Sequence, residues 1–147
     1  MTNKKIIFWK NTSFSFTMVG IVIFISWLMF ELLSFFVSPL MNFKINCILV
    51  APLIEEYSKR ISIKKGCPWL YTYIFAFGEF FLYILFNLPA ASIYFVSQRL
   101  LCVFMHFMFT AIQKEGHDSG YDKQGFGLAL SCHALQNFLA IARTIGI

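Results

Sequence analysis

The chain has 147 residues, of which 59% are hydrophobic, 19% aromatic and only 13% charged. Soluble domains carry about 25% charged residues, so this composition excludes a disordered chain and an ordinary water-soluble domain, and a mean hydropathy of +0.70 places the protein in a bilayer. The net charge of +5 does not point to nucleic acid, because the basic residues stand at the ends of apolar runs, where they set membrane topology.

A spanning helix needs about 20 mostly apolar residues. Five segments qualify: Phe14–Val37, Asn46–Ile63, Trp69–Leu88, Ser92–Gln113 and Phe126–Ile145. Between them lie Ser38-Pro39, Gly66-Cys67-Pro68, Asn87-Leu88-Pro89 and a polar loop Lys114–Gly125. Gly and Pro punctuate helices this way, one by backbone entropy and one by its missing N–H. The expected fold is therefore an all-α, polytopic membrane bundle, a single domain over residues 1–147 with its chemistry between 46 and 145.

The basic start has an apolar run too long for a signal core and no small-residue cleavage pattern, so a retained first helix is expected. A cytoplasmic N-terminus puts Lys4, Lys5, Lys10, Lys59, Arg60, Lys64, Lys65, Lys114 and Lys123 on or near one side. Lys44 and Arg143 fall toward the other, a bias that favours N-in, C-out in a plasma or inner membrane. The cysteines Cys47, Cys67, Cys102 and Cys132 form no CxxC and read as small packing residues.

An ionisable residue at the bilayer centre costs at least ~2.5–3.5 kcal/mol, so each is a site candidate. The chain carries Glu31, Glu55, Glu56, Glu79, Arg99, His106 and His133 in apolar segments, with Asn137 nearby. Glu55/Lys59 and Glu56/Arg60 are i,i+4 pairs in the favourable order, which read either as a buried site or as a solvated turn with surface ion pairs. Pro52 kinks this segment or starts its second half. Arg99, His106, Thr110 and Gln113 share one helical face, as do His133 and Asn137, and Glu79 and Tyr83. Glu31 stands alone and fits a neutral packing role. Counted from Lys64, Lys114 and Gly125, residues Glu55, His106 and His133 all lie roughly 12–14 Å inside one membrane face, at ~1.5 Å per residue.

A carboxylate, two imidazoles and an amide at one level suit water activation. The carboxylate takes the proton, one His orients the water, and the other His and the Asn donate to an oxyanion. No HExxH or GxSxG occurs, and Asp118 and Asp122 fall in the polar loop, which leaves no membrane aspartyl dyad. Cys102 and His106 are spaced as a nucleophile–base pair, but only Arg99 stands by to activate the thiol.

In order, Glu55-Glu56-x-x-Lys59-Arg60, Glu79-x-x-x-Tyr83, Arg99…His106…Thr110 and His133-x-x-x-Asn137 resemble the CPBP superfamily of intramembrane proteases, which includes CAAX proteases and bacteriocin-processing enzymes. The pattern is most similar to the PrsW-like branch and covers about Glu55–Asn137. The resemblance implies cleavage of a membrane-anchored protein or peptide, with Glu55 as general base supported by Glu56. It implies that His106 shares the water, that His133 and Asn137 stabilise the oxyanion, and that Lys59 or Arg60 holds the glutamates, with Glu79 and Arg99 in support. CAAX-type members carry FxxxH where this chain has Cys102 four before His106, which argues against prenylprotein processing. No cofactor is expected. A zinc variant would use Glu55, His106 and His133. The alternatives are a non-catalytic immunity or partner-binding protein and a small proton-coupled transporter, though no inverted repeat supports the latter.

Overall fold

Helix signals divide the chain much as its apolar runs do. The computed structural model describes residues 3–88 and 92–145, and the side chains of 6–88 and 92–143. It contains α1 (Asn3–Ser34), α2 (Pro39–Ile45), a π-helical turn (Asn46–Val50), α3 (Ala51–Lys64), α4 (Pro68–Phe86), α5 (Ile93–Asp118) and α6 (Asp122–Ile145). Ser38 caps α2 by accepting from the Met41 N–H, with Pro39 in the first turn, where its missing N–H costs nothing. The expected break at Pro89 and the side chains of Lys4 and Lys5 lie outside the described residues.

Two turns use one device. Gly66 and Gly120 have φ of 74° and 80°, the left-handed region that only glycine enters freely. Around Gly66, Cys67 N–H donates to Ser62 O and Gly66 N–H to Ile63 O. Around Gly120, Tyr121 N–H donates to Gly116 O and Gly120 N–H to His117 O. Both are Schellman C-caps. The expected polar loop Lys114–Gly125 is thus corrected to the short turn Ser119–Tyr121. An i,i+4 ion pair between Lys114 and Asp118 carries α5 to Asp118, and α6 begins at Asp122.

Among the described residues, four helices are long and apolar enough to cross a membrane: Ile6–Ser34, Pro68–Phe86, Ile93–Asp118 and Asp122–Arg143. The second of the five expected segments does not join them. It falls in the π turn and α3, whose Glu, Lys, Arg and Ser residues dilute its hydropathy. Instead α3 is the hub, touching α1, α4, α5 and α6. The first span also begins earlier than expected, because α1 is helical from Asn3.

Polarity is inverted relative to a soluble protein. Phe16, Phe24, Trp27, Phe81, Leu85 and Phe104 face outward, whereas Glu56, Lys59, Ser62, Thr72, Thr110 and Gln113 are buried. Outward apolar side chains meet lipid, and inward polar ones bind the helices together. A small apolar layer remains where α1 lays Met18, Val19 and Val22 on Tyr71, Phe75 and Ile54. Glu31 is exposed near the end of α1, so the packing role expected of it is not realised.

Helices α5 and α6 cross glycine on glycine. A Cβ on Gly116 would stand 2.8 Å from Gly125 Cα and 3.0 Å from Tyr121 O, whereas one on Gly127 would meet nothing within 4 Å. We expect Gly116→Ala to destabilise the fold by about 1–3 kcal/mol through overpacking. Gly127→Ala should be neutral or stabilising by up to about 1 kcal/mol. SDS titration of the purified protein in mild detergent micelles checks both, and equal midpoints for the two variants would refute the close crossing.

Candidate functional site

The site grows from one feature of α3, a pair of adjacent glutamates that point in different directions. Neighbouring helical residues diverge by about 100°. Glu56 turns fully inward, with none of its surface exposed. Its Oε1 accepts from Lys59 Nζ at 2.6 Å and from His133 Nδ1 at 2.7 Å, and its Oε2 accepts from Gln113 Nε2 at 2.6 Å. Three helices therefore share one carboxylate. Glu55 is different. Its Oε2 is buried without a hydrogen-bond partner in the protein, 3.7 Å from His133 Nε2 and 4.0 Å from His106 Nδ1.

Hydrogen-bond chemistry assigns the imidazole tautomers. Lys59 Nζ has only protons to offer, so the His106 Nδ1 that it meets at 3.1 Å presents a lone pair. His106 Nε2 then carries the proton and donates to Glu79 Oε2 at 2.8 Å. His133 donates through Nδ1 to Glu56, so in the neutral ring its Nε2 presents a lone pair toward Glu55. The two rings stand edge to face, with centroids 5.4 Å apart. The expected common depth of Glu55, His106 and His133 is thus realised as direct proximity.

Several expected contacts differ. Lys59 pairs with Glu56 at i,i+3 rather than with Glu55 at i,i+4, because Glu56 is the glutamate turned inward. Arg60 does not hold a glutamate of α3. It bonds to Asp122 at the start of α6 and lies over the Phe126 ring at 5.3 Å. Glu79 pairs with His106, while its helical neighbour Tyr83 stacks under the Arg99 guanidinium at 3.8 Å. Cys102 is no partner for His106, whose nitrogens face Lys59 and Glu79. Its Sγ instead accepts from Gln136 Nε2 at 3.6 Å.

Asn137 serves the π turn. Ala51 N–H reaches back five residues to Asn46 O, and Pro52 has no N–H to offer Cys47 O. That carbonyl is taken by Asn137 Nδ2 at 2.8 Å. A Pro-induced irregularity in one helix is thereby locked by an amide of another, and the lock sets the angle at which α3 presents Glu55 and Glu56.

Sequence reasoning placed Gln113 on the right face but not on Glu56. It missed Ser58 and Tyr71, whose hydroxyls meet at 2.5 Å, and Thr72, whose hydroxyl meets that of Thr110 at 2.7 Å. The available signal was burial of small hydroxyl residues at helical spacing in apolar segments. Among the described residues, Glu55, Glu79 and His106 bring one ligand atom each within 4.8 Å of one another, a set of the kind that binds divalent ions. Glu79 stands in this set where His133 was expected. The Lys59 ammonium beside His106 opposes a second cation.

The arrangement defines a helical membrane bundle built round a buried carboxylate–ammonium–imidazole core. A scan against protein-family models, a search of curated proteins and a search of solved structures find no match to the chain.

Removing one partner of a buried ion pair strands the other and costs about 3–5 kcal/mol. Glu56→Gln and Lys59→Met should each destabilise the protein by that order, and the Glu56→Gln/Lys59→Met double variant, which keeps an amide for His133 and Gln113, should cost clearly less than the two singles together. Detergent unfolding midpoints measure all three, and a double variant whose loss equals the sum of the singles would show that the pair is not the source. Asn137→Leu, which leaves Cys47 O unpaired, should cost about 1–3 kcal/mol on the same scale.

Proposed function

We propose that the protein is an intramembrane endopeptidase that hydrolyses a peptide bond of a membrane-anchored protein through a water activated by Glu55. The observation that carries this reading is the contrast between the two glutamates. Glu56 is saturated by Lys59, His133 and Gln113, whereas Glu55 keeps a free buried oxygen beside two imidazoles. A saturated carboxylate holds structure. A free one next to basic nitrogens is equipped for proton transfer.

In this mechanism a water binds between Glu55 Oε2 and His133 Nε2, both acceptors. Its oxygen attacks the carbonyl carbon, its proton passes to Glu55, and the carbonyl electron pair moves onto oxygen. Collapse of the tetrahedral adduct breaks the C–N bond, and Glu55 returns the proton to the leaving amine. Glu79 and Lys59 fix the His106 ring, and Arg99 balances the charge of Glu79. The lone pair at His133 Nε2 makes this His a proton acceptor rather than the oxyanion donor that the family pattern implies. Asn137 has a second amide proton for that role. The ordered motifs favour the CPBP superfamily, its PrsW-like branch and a metal-free reaction, and the bias of basic residues favours a cytoplasmic N-terminus in a plasma or inner membrane.

The test compares membrane-protein termini in cells making wild-type chain or Glu55→Gln at matched levels. New termini should appear with the wild type only, since loss of a general base costs about 10²–10⁴-fold. Glu55→Gln should keep the wild-type unfolding midpoint, because the lost oxygen has no partner in the protein. A chelator should leave the termini unchanged. Identical termini from both chains in cells of the native host would shift the reading to a partner-binding protein, and activity that disappears with chelator and returns with zinc would overturn the metal-free mechanism.

A further inference from the structure

The register of α1 against α4 leaves the start of α1 without a neighbour. Ser15 is fully buried and meets the Cys67 thiol at the start of α4. Further along, Met18, Val19 and Val22 lie against Tyr71 and Phe75. The two helices therefore run side by side in one direction, with Ser15 level with the α3–α4 turn. From Ser15 to Ser34 is about 29 Å at ~1.5 Å per residue, which already matches a hydrocarbon core about 30 Å thick. Asn3–Phe14 add about 18 Å of helix beyond that level.

This overhang is apolar on every side. Ile6, Ile7, Phe8 and Trp9 are consecutive, so they point all round the helix, and they are 40% to 58% exposed. Standing upright, α1 would carry Trp9 about 9 Å and Ile6 about 13 Å past Ser15, beyond a headgroup layer about 5–8 Å deep and into water. Four consecutive bulky apolar side chains in water call for a cover.

Charge and backbone identify that cover. Lys4, Lys5 and Lys10 flank the four, and no acidic residue precedes Glu31. The same end of the bundle carries Lys64 and Lys65 beside the Gly66 turn, and Lys114 and Lys123 on either side of the Gly120 turn. Lysines in this number attract anionic headgroups, and Trp settles at the headgroup level. A place to bend is also built in. Asn11, Thr12 and Ser13 are weak helix formers. Thr12 Oγ1 donates to Phe8 O at 2.9 Å and Ser15 Oγ to Asn11 O at 2.8 Å, a back-bonding that bends helices. We propose that Asn3–Lys10 is a lipid anchor, folded over at Asn11–Ser13 onto the anionic headgroups of the leaflet on that side. Phe8 and Trp9 sink among the headgroups, and the lysines meet their phosphates. The anchor does not depend on the endopeptidase reading.

The test uses the full-length protein in vesicles of phosphatidylcholine with or without phosphatidylglycerol. Subtracting the emission of Trp9→Phe from that of the wild type isolates Trp9 and leaves the buried bundle untouched. With phosphatidylglycerol present, Trp9 should be quenched more by lipids brominated near the headgroup than by lipids brominated near the chain end, and it should be shielded from acrylamide. Lys4→Gln/Lys5→Gln/Lys10→Gln should shift the balance from anchored to upright about fivefold for each lysine. High salt should act in the same direction. Equal acrylamide quenching with and without phosphatidylglycerol would leave the overhang in water and overturn the anchor. Strongest quenching by chain-end bromine would make the overhang part of a tilted span and overturn it too. Shielding from both acrylamide and brominated lipid would show that protein, a second copy or another chain, covers Trp9 instead. Headgroup-level quenching that ignores both phosphatidylglycerol and the lysines would overturn the anionic headgroup as the partner.

Discussion

The Glu56 carboxylate is the constraint on which the rest of the bundle depends. Buried without exposure, it needs compensation, and it takes that compensation from Lys59 of its own helix, Gln113 of α5 and His133 of α6. An uncompensated charge there would cost several kcal/mol. Each donor therefore fixes a helix: its rotation, because only one face carries the donor, and its depth, because a hydrogen bond tolerates only a few tenths of an ångström. Lys59 extends the constraint through His106 to Glu79 and so to α4. Lipid offers no hydrophobic drive between helices, so this polar network does the work that an apolar core does in water.

The periphery is consistent with that division of labour. At one end, Gly116 and Gly125 let α5 and α6 approach backbone to backbone, and two Schellman turns reverse the chain in few residues. Arg60 and Lys64 of α3 meet Asp122 of α6 at the same end. These contacts close the bundle beside the core without entering it. Toward the other end lie the π turn, Arg99 and Tyr83, with Asn46 Nδ2 and Arg99 Nε among the buried polar atoms that lack a partner in the protein.

The sequence made the helices legible because apolar runs and Gly/Pro breaks mark them directly. It made the His106–Thr110–Gln113 face legible because a 3.6-residue period places those side chains together whatever they bond to. Counting rise from the basic ends brought Glu55, His106 and His133 to one depth. Partner choice was not legible in this way. Whether Lys59 meets Glu55 or Glu56 depends on which glutamate faces inward, and that is set by the π turn before it. The turn arises where Pro52 withholds an N–H and Asn137, ninety positions on, supplies one to Cys47 O. No local pattern reports a contact at that separation. The preference of Arg60 for Asp122 was hidden for the same reason, and the Lys114–Gly125 stretch looked like a loop because its polar residues are helical and solvated, not unfolded.

Saturated and unsaturated groups are separated within one cluster, and that separation is what lets a polar site exist in a membrane. If every buried polar atom were paired, the core would be stable and inert. If many were unpaired, the bundle would not assemble. Here Glu56 carries the structural load, while the adjacent Glu55 leaves an oxygen free at the same depth. The two are distinguished only by a 100° turn of one helix. Asn137, by locking the π turn, holds that angle. Its contact with a backbone carbonyl just before α3 is thus the feature that decides which carboxylate binds the bundle together and which one keeps a free oxygen.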